Sequence, residues 1–163
     1  MVTVRDAVNA DAGAVRRLVS DAFGQPAEAD LVEALKRSGA AVVDLVAELD
    51  SEIVGHVLLS KLQAPSRCVA LAPISVAPKH QKSGVGSALM DQAVRRAKAD
   101  GWAAIFVLGD PGYYTRFGFD VAAASKFETE YPKAYFMALE IEDGALEKEH
   151  GQMIYAQPFL ELK

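Results

Sequence analysis

Apolar positions recur at two different periods along this chain, and the alternation between the periods predicts its elements. Val15, Leu18, Val19 and Ala22 repeat at i, i+3, i+4 and i+7, the spacing of one buried helix face, with Asn9 placed to cap the start and Gly24 to end it. Pro26 suits the first turn of a second helix, whose Leu31, Val32 and Leu35 face inward and whose end is marked by Gly39. Residues 3–5 before this pair read as a first strand. After it, β-branched and apolar runs at 42–48 and 53–59 flank Leu49-Asp50-Ser51-Glu52, which reads as a hairpin. Gly55 lies inside the second run, where glycine marks a bulge or a close approach, and His56 beside it reads as a packed strand residue.

Residues 69–76 form another buried strand. Pro73 within it has no N–H for a ladder, so the sheet is expected to be irregular or bulged there. The helical period returns in Val85, Leu89, Met90, Ala93 and Ala97, a helix over 85–100 with Arg95, Arg96 and Lys98 near its negative end and a stop at Gly101. Residues 102–108 then read as a buried strand parallel to 69–76 across this crossover. Closing strands are predicted at 137–141 and 153–155, joined by a helical or turn connection at 143–146, and the tail 157–163 is left open between order and fraying.

Composition narrows the class. The chain has 163 residues, enough for one core of ordinary size and too few for two, so a single domain over 1–163 is expected. A net charge of −5 argues against nucleic acid as a partner, because phosphate backbones are held mainly by excess Lys and Arg. No apolar run approaches the roughly 20 residues of a membrane span, and residues 1–6 lack a signal-peptide core, so a cytoplasmic protein is expected. Cys68 has no second cysteine to bridge and reads as structural. His56, His80 and His150 are scattered, without H-E-x-x-H or paired-Cys spacing, which speaks against a metal, and no G-x-S-x-G elbow is present.

The chemistry concentrates where residues 74–76 end at Pro78 and a glycine-bearing turn opens the helix at Val85. Gly84 and Gly86 let the backbone bend tightly and approach a ligand, and the helix start aims free N–H groups and partial positive charge at that turn. The result is an anion site suited to phosphates. Neither G-x-x-x-x-G-K-[ST] nor a dinucleotide fingerprint fits, since Leu89 stands where a third Gly or Ala belongs. What remains, Gln81-Lys82-Ser83-Gly84-Val85-Gly86 after a strand ending in Val-Ala-Pro, resembles the acetyl-CoA pyrophosphate loop of the GNAT superfamily of N-acetyltransferases. Lys82 and Ser83 depart from that family's habit of Gln-Gly-Arg-Gly-Ile-Gly. A second motif follows in Tyr114-Thr115-Arg116-Phe117-Gly118-Phe119, the Tyr-x-x-x-Gly-Phe of the same superfamily, and residues 108–119 with 134–140 and 144–146 are similar to its YhbS-like branch. The resemblance covers about residues 3–159.

This resemblance implies an α/β (α+β) fold. Its mixed, mostly antiparallel sheet of six to seven strands is splayed at a central parallel pair and flanked by helices. It implies acetyl-CoA as co-substrate, with Ile74, Ser75 and Val76 along the pantetheine arm and Gln81, Lys82, Ser83, Gly84, Val85, Gly86 and Ser87 at the diphosphate. Tyr114 and Phe117 complete the coenzyme site, and Tyr114 is the implied catalytic proton donor to the leaving thiolate. The early helix pair borders the acceptor groove in that family, which would set Glu28, Asp30 and Glu33 near an incoming amine, unless they merely solvate a helix face. Some members carry a general base on the strand before the turn, yet the comparable place near Ala70 holds no acid. Asp110, His56 or a water stays open as the base. The implied activity is acetyl transfer to a primary amine of a small molecule or polypeptide by direct attack in a ternary complex. A catalytically silent acyl-CoA-binding sensor is the alternative, and a nucleotide-binding domain a third reading. A homodimer formed by strand addition or exchange near the C-terminus stays open.

Overall fold

The computed structural model describes residues 2–147 and 151–161, so His150 and the end of the predicted tail lie outside the described residues. In chain order the elements are β1 (Thr3–Asp6), α1 (Ala12–Phe23), α2 (Ala27–Ser38), β2 (Ala41–Leu49), β3 (Glu52–Lys61), β4 (Cys68–Val76), α3 (Val85–Ala99) and β5 (Ala104–Leu108). There follow α4 (Pro111–Tyr114), α5 (Val121–Ala124), β6 (Phe127–Glu128), β7 (Phe136–Glu140), β8 (Gly151–Gln152) and α6 (Gln157–Leu160). The main sheet has six strands in the order β1-β2-β3-β4-β5-β7, antiparallel at every step except the parallel β4–β5 pair. This is the expected mixed α/β sheet with flanking helices.

The splay is equally plain. β4 and β5 pair at Cys68↔Ala104, Val69↔Ile105 and Ala70↔Phe106, after which β4 stays with β3 as far as Val76 while β5 stays with β7 as far as Leu108. Their C-terminal halves therefore diverge and leave backbone polar groups without a ladder partner, open to a ligand. A register shift accompanies the opening: Val57 faces Ile74 but Leu59 faces Leu71, which places the extra β4 residue at Ala72-Pro73. Pro73 is tolerated there because a bulge has no donor to miss.

One face of the sheet is covered by α3, whose Leu89, Met90, Ala93 and Ala97 pack on Val57, Leu59, Val69 and Leu71. Each large side chain so buried contributes on the order of 1.5–3 kcal/mol. The helix sits close because Gly55 has no side chain: a Cβ there would lie 2.8 Å from both Leu89 Cδ1 and Val85 Cγ1. The α1–α2 pair covers the other face through Val15, Val19, Leu31 and Leu35 on Val46 and Leu58. A third cluster under the C-terminal segments stacks Phe106 with Phe136 and sets Phe127 edge-on to Phe106.

Two local expectations are corrected. Asn9 does not cap α1; instead the Asp11 carboxylate accepts the Val8 N–H at 2.8 Å and two bonds from Arg5, at 2.8 and 3.1 Å. Asn9 is the first residue of a short 3-10 turn, Asn9–Asp11, that leads into α1, so it lies one position past the cap. Residues 153–155 do not form a strand of the main sheet. β5 already carries β4 and β7 on its two edges, and the returning chain pairs β8 with β6 as a separate two-stranded parallel sheet, with Ile154 bridging Ala64.

Candidate active site

Two cavities meet on the diverging end of β4, and Ile74 lines both. The first, of about 660 Å³, lies over the turn between β4 and α3 and is bordered by Val76, Gln81, Lys82, Gly84, Gly86 and Ser87 on one side and Tyr113 and Arg116 on the other. Local chemistry shapes this turn. Lys82 and Gly84 have left-handed backbones, φ 64° and 90°, so the chain doubles back before α3 begins. Gln81 donates to the Val76 carbonyl at 3.2 Å and the Ser83 hydroxyl to the His80 carbonyl, which tie the loop to itself. Among the described residues no side chain caps α3 at Gly84, so the amides of its first turn remain as donors at the positive end of a 15-residue helix. Lys82 and Arg116 add one cation to each side of this cavity.

The second cavity, of about 410 Å³, continues on the β5 side of the opening. Its floor is the bulged part of β4, residues 70–74, and the end of β5; its walls are Phe23, Glu28 and Leu31 from the early helices and Tyr131, Tyr155 and Phe159 from the C-terminal region. Tyr114 enters from α4, whose start is fixed by the Asp110 carboxylate accepting the Gly112 N–H at 3.0 Å. Gly109 makes room for it: a Cβ there would lie 2.5 Å from Tyr114 Cε2.

Tyr113 and Tyr114 thus form a partition between the two spaces, their rings perpendicular at 88° with centroids 5.0 Å apart. Tyr113 stands over α3, where a Cβ on Gly86 would meet its hydroxyl at 2.6 Å. The Arg116 guanidinium lies 4.8 Å from the Tyr113 ring centre and 5.3 Å from that of Phe117. Burial, with a smaller contribution from Tyr113, pushes the Tyr114 phenol up to about 12, so it is a neutral donor at ordinary pH.

Of the residues expected at a coenzyme, Ile74, Val76, Gln81, Lys82, Gly84, Gly86 and Ser87 line the first cavity and Tyr114 the second. Ser75 is buried with an unpartnered hydroxyl, Val85 is packed in the core, and Phe117 backs Tyr113, so their side chains do not line either space. Tyr113 and Arg116 were missed by the sequence reading, although both lie inside or beside the Tyr-x-x-x-Gly-Phe string. Asp110 and His56 line neither cavity. Asp110 is occupied with its helix cap, and His56 is fully buried with Nε2 2.7 Å from Asp44 Oδ1, whose Oδ2 meets Lys36 at 3.1 Å. Burial opposes ionisation of Asp44, but these two partners outweigh it and hold the carboxyl below its usual range. Asp30 and Glu33 are paired with Arg16, at 2.7 and 3.0 Å; Glu28 alone of the three faces the second cavity. No cluster of potential metal ligands occurs among the described residues.

A family model described as Acetyltransferase (GNAT) family matches residues 13–119. The chain is 30% identical over 162 residues to an uncharacterized N-acetyltransferase, YhbS, of Escherichia coli strain K12, covering 96% of this chain and 97% of that one. It is 34% identical over 133 residues to another from the same strain, YjhQ, covering 77% and 71%. The crystal structure of E. coli YhbS in complex with CoA matches with a TM-score of 0.93 at 28% identity, over 99% of this chain and 93% of that one. A Brucella melitensis GNAT acetyltransferase in complex with acetyl-CoA matches with a TM-score of 0.83 at 28% identity, over 98% of each.

Proposed function

This chain belongs to the GNAT family of acetyltransferases, in its YhbS-like branch, and from that membership we propose an acetyl-CoA-dependent N-acetyltransferase acting on a primary amine of a small molecule or polypeptide. One domain over residues 1–163 would carry the activity. The observation that supports it most is the meeting of two unlike cavities at Ile74, one lined by helix amides and two cations, the other apolar with a buried phenol. The YhbS and Brucella neighbours hold CoA and acetyl-CoA, respectively.

In this reading the α3 amides, Lys82 and Arg116 hold the diphosphate of the coenzyme, and the exposed backbone of Ile74 and Val76 holds its pantetheine arm. The thioester then lies where the cavities join, beside Tyr114. The acceptor ammonium first gives up a proton to water, and the resulting neutral amine in the second cavity forms a C–N bond to the acetyl carbon as the C–S bond breaks. The Tyr114 phenol gives its proton to the departing sulfur, and the proton shed by the new amide nitrogen restores the phenol through solvent. Direct attack in a ternary complex needs no covalent enzyme intermediate.

The test is release of free CoA thiol across a panel of amines, paired with acetyl-CoA binding by calorimetry. Tyr114→Phe is expected to lower kcat about 100-fold, with acetyl-CoA still raising Tm. Binding without turnover on any amine would assign the chain instead to a silent acyl-CoA-binding module, and no binding would remove the proposal altogether.

A further inference from the structure

The second cavity differs in kind from the first. Its walls are made largely of Phe23, Leu31, Phe106, Tyr131, Tyr155 and Phe159, and among the described residues it contains one acid, Glu28, and no Lys or Arg. Tyr131 and Tyr155 meet edge to face at 5.8 Å, and Tyr155 is tilted against Phe159 at 5.1 Å. Burial, and secondarily Tyr131, pushes the Tyr155 phenol upward, so this wall stays uncharged. Phe23 and Leu108, two of the large apolar residues left exposed on the surface, lie on the lining of this cavity.

Such a space sorts amines by what carries the nitrogen. A body with further charges or hydroxyls would leave most of them desolvated against a largely apolar lining, whereas a flat apolar body replaces water there at a gain. The arriving ammonium still needs a counter-charge. Glu28 holds a neutral contact, Gln25 Nε2 at 3.0 and 3.1 Å from its two oxygens, and no Lys or Arg pairs with it among the described residues. Its neighbours Asp30 and Glu33, by contrast, are both engaged by Arg16. Resting on the acetyltransferase reading above, we propose that the acceptor is a primary amine borne on an apolar, ring-sized body, and that Glu28 is the specificity residue that receives its ammonium. The aromatic wall seats the ring while the nitrogen is directed toward Tyr114 and the bulge of β4. Aromatic faces beside the path also favour a cation.

The test measures thiol release with 2-phenylethylamine, ethanolamine, spermidine and a lysine-bearing peptide as acceptors, acetyl-CoA being saturating. The proposal expects kcat/KM for 2-phenylethylamine to exceed each of the others by about 10–100-fold, the gain from burying a ring. Phe159→Ala is expected to shrink that ratio. Glu28→Gln is expected to raise KM for 2-phenylethylamine about 10-fold, with kcat, KM for acetyl-CoA and Tm unchanged and with partial rescue in Glu28→Asp. A merely structural Glu28 would move Tm or both KM values instead, which overturns its assigned role. Preference for ethanolamine, spermidine or the peptide overturns the inference while leaving acetyl transfer standing. Failure of every amine in the presence of bound acetyl-CoA overturns the acetyltransferase reading and the inference with it.

Discussion

The position of the Tyr114 ring can be perturbed without touching Tyr114, through Gly109→Ala. Gly109 follows β5 directly and its N–H donates to the Tyr135 carbonyl at 2.9 Å, a bond the substitution retains. The new methyl would stand 2.5 Å from Tyr114 Cε2 and 3.2 Å from Cδ2. Carbon atoms in favourable contact lie at about 3.5–4.0 Å, so the ring edge must retreat by about 1 Å. The ring is not free to do so cheaply, because Tyr113 and Phe119 hold it at centroid distances of 5.0 and 5.9 Å. Overpacking of this kind costs about 1–3 kcal/mol of stability. The kinetic effect is expected to be larger than the stability effect, since a displacement of about 1 Å in a proton donor costs roughly 100-fold in rate. Steady-state thiol release should therefore show kcat in Gly109→Ala falling nearly as far as in Tyr114→Phe. Calorimetry should show acetyl-CoA affinity within about 3-fold of the parent, because Gly109 is not part of the first cavity. A kcat close to the parent value, with the phenol intact, would refute the assignment of Tyr114 as a positioned proton donor.

Gly55→Ala is expected to destabilise the fold by about 1–3 kcal/mol, since its Cβ would press 2.8 Å from Leu89 and Val85 on α3; thermal melts should show Tm lowered by several degrees, and an unchanged Tm would contradict the close packing of α3 on β3. Lys82→Ala combined with Arg116→Ala should weaken acetyl-CoA by about 10-fold at low salt, with the loss narrowing as salt rises, while acetyl-pantetheine, which lacks the phosphates, should bind both proteins alike by calorimetry. For pH, the Tyr114 phenol is raised from its ordinary value to about 12 in the fold, so its protonated form is favoured by folding. That contribution is whole below pH about 10 and is lost as pH climbs toward about 12. A kcat profile should accordingly show no descending limb from Tyr114 below pH about 10, and a limb near pH 8 that vanishes in Tyr114→Phe would refute it.

The two halves of the candidate site differ in how far the sequence reveals them, and the difference is physical. The coenzyme half is local: a strand, a turn with Gly84 at φ 90°, and a helix start are consecutive in the chain, and a backbone that must bend left-handed leaves its mark as glycine. Pro73 announces the bulge of β4 in the same way, because a missing N–H restricts where a strand can run. Asn9 misled for the opposite reason, since the turn ahead of α1 already begins at Asn9 and is anchored by Arg5 on Asp11, a contact that depends on how β1 meets the start of α1. The placement of residues 153–155 failed likewise on an edge already filled elsewhere in the sheet.

The acceptor half has no local signature at all. Phe23 and Leu31 come from the early helices, residues 70–74 from β4, Leu108 and Tyr114 from either side of the Gly109 turn, and Tyr131, Tyr155 and Phe159 from the C-terminal region. Each reads in isolation as ordinary core material, and their common property is a wall left uncovered when β4 and β5 part after Ala70 and Phe106. Glu28 was visible only as one of three acids on a helix, and what separates it from Asp30 and Glu33 is that Arg16 reaches the other two. The divergence of the strands therefore does two things at once: it exposes the β4 backbone to one ligand and turns an otherwise buried aromatic cluster into a binding surface for the other. Donor recognition is thereby written into backbone conformation, which sequence constrains strongly, and acceptor recognition into which side chains happen to flank the gap. Within one fold the second can change by single substitutions while the first stays fixed, so substrate identity has to be read from the assembled cavity.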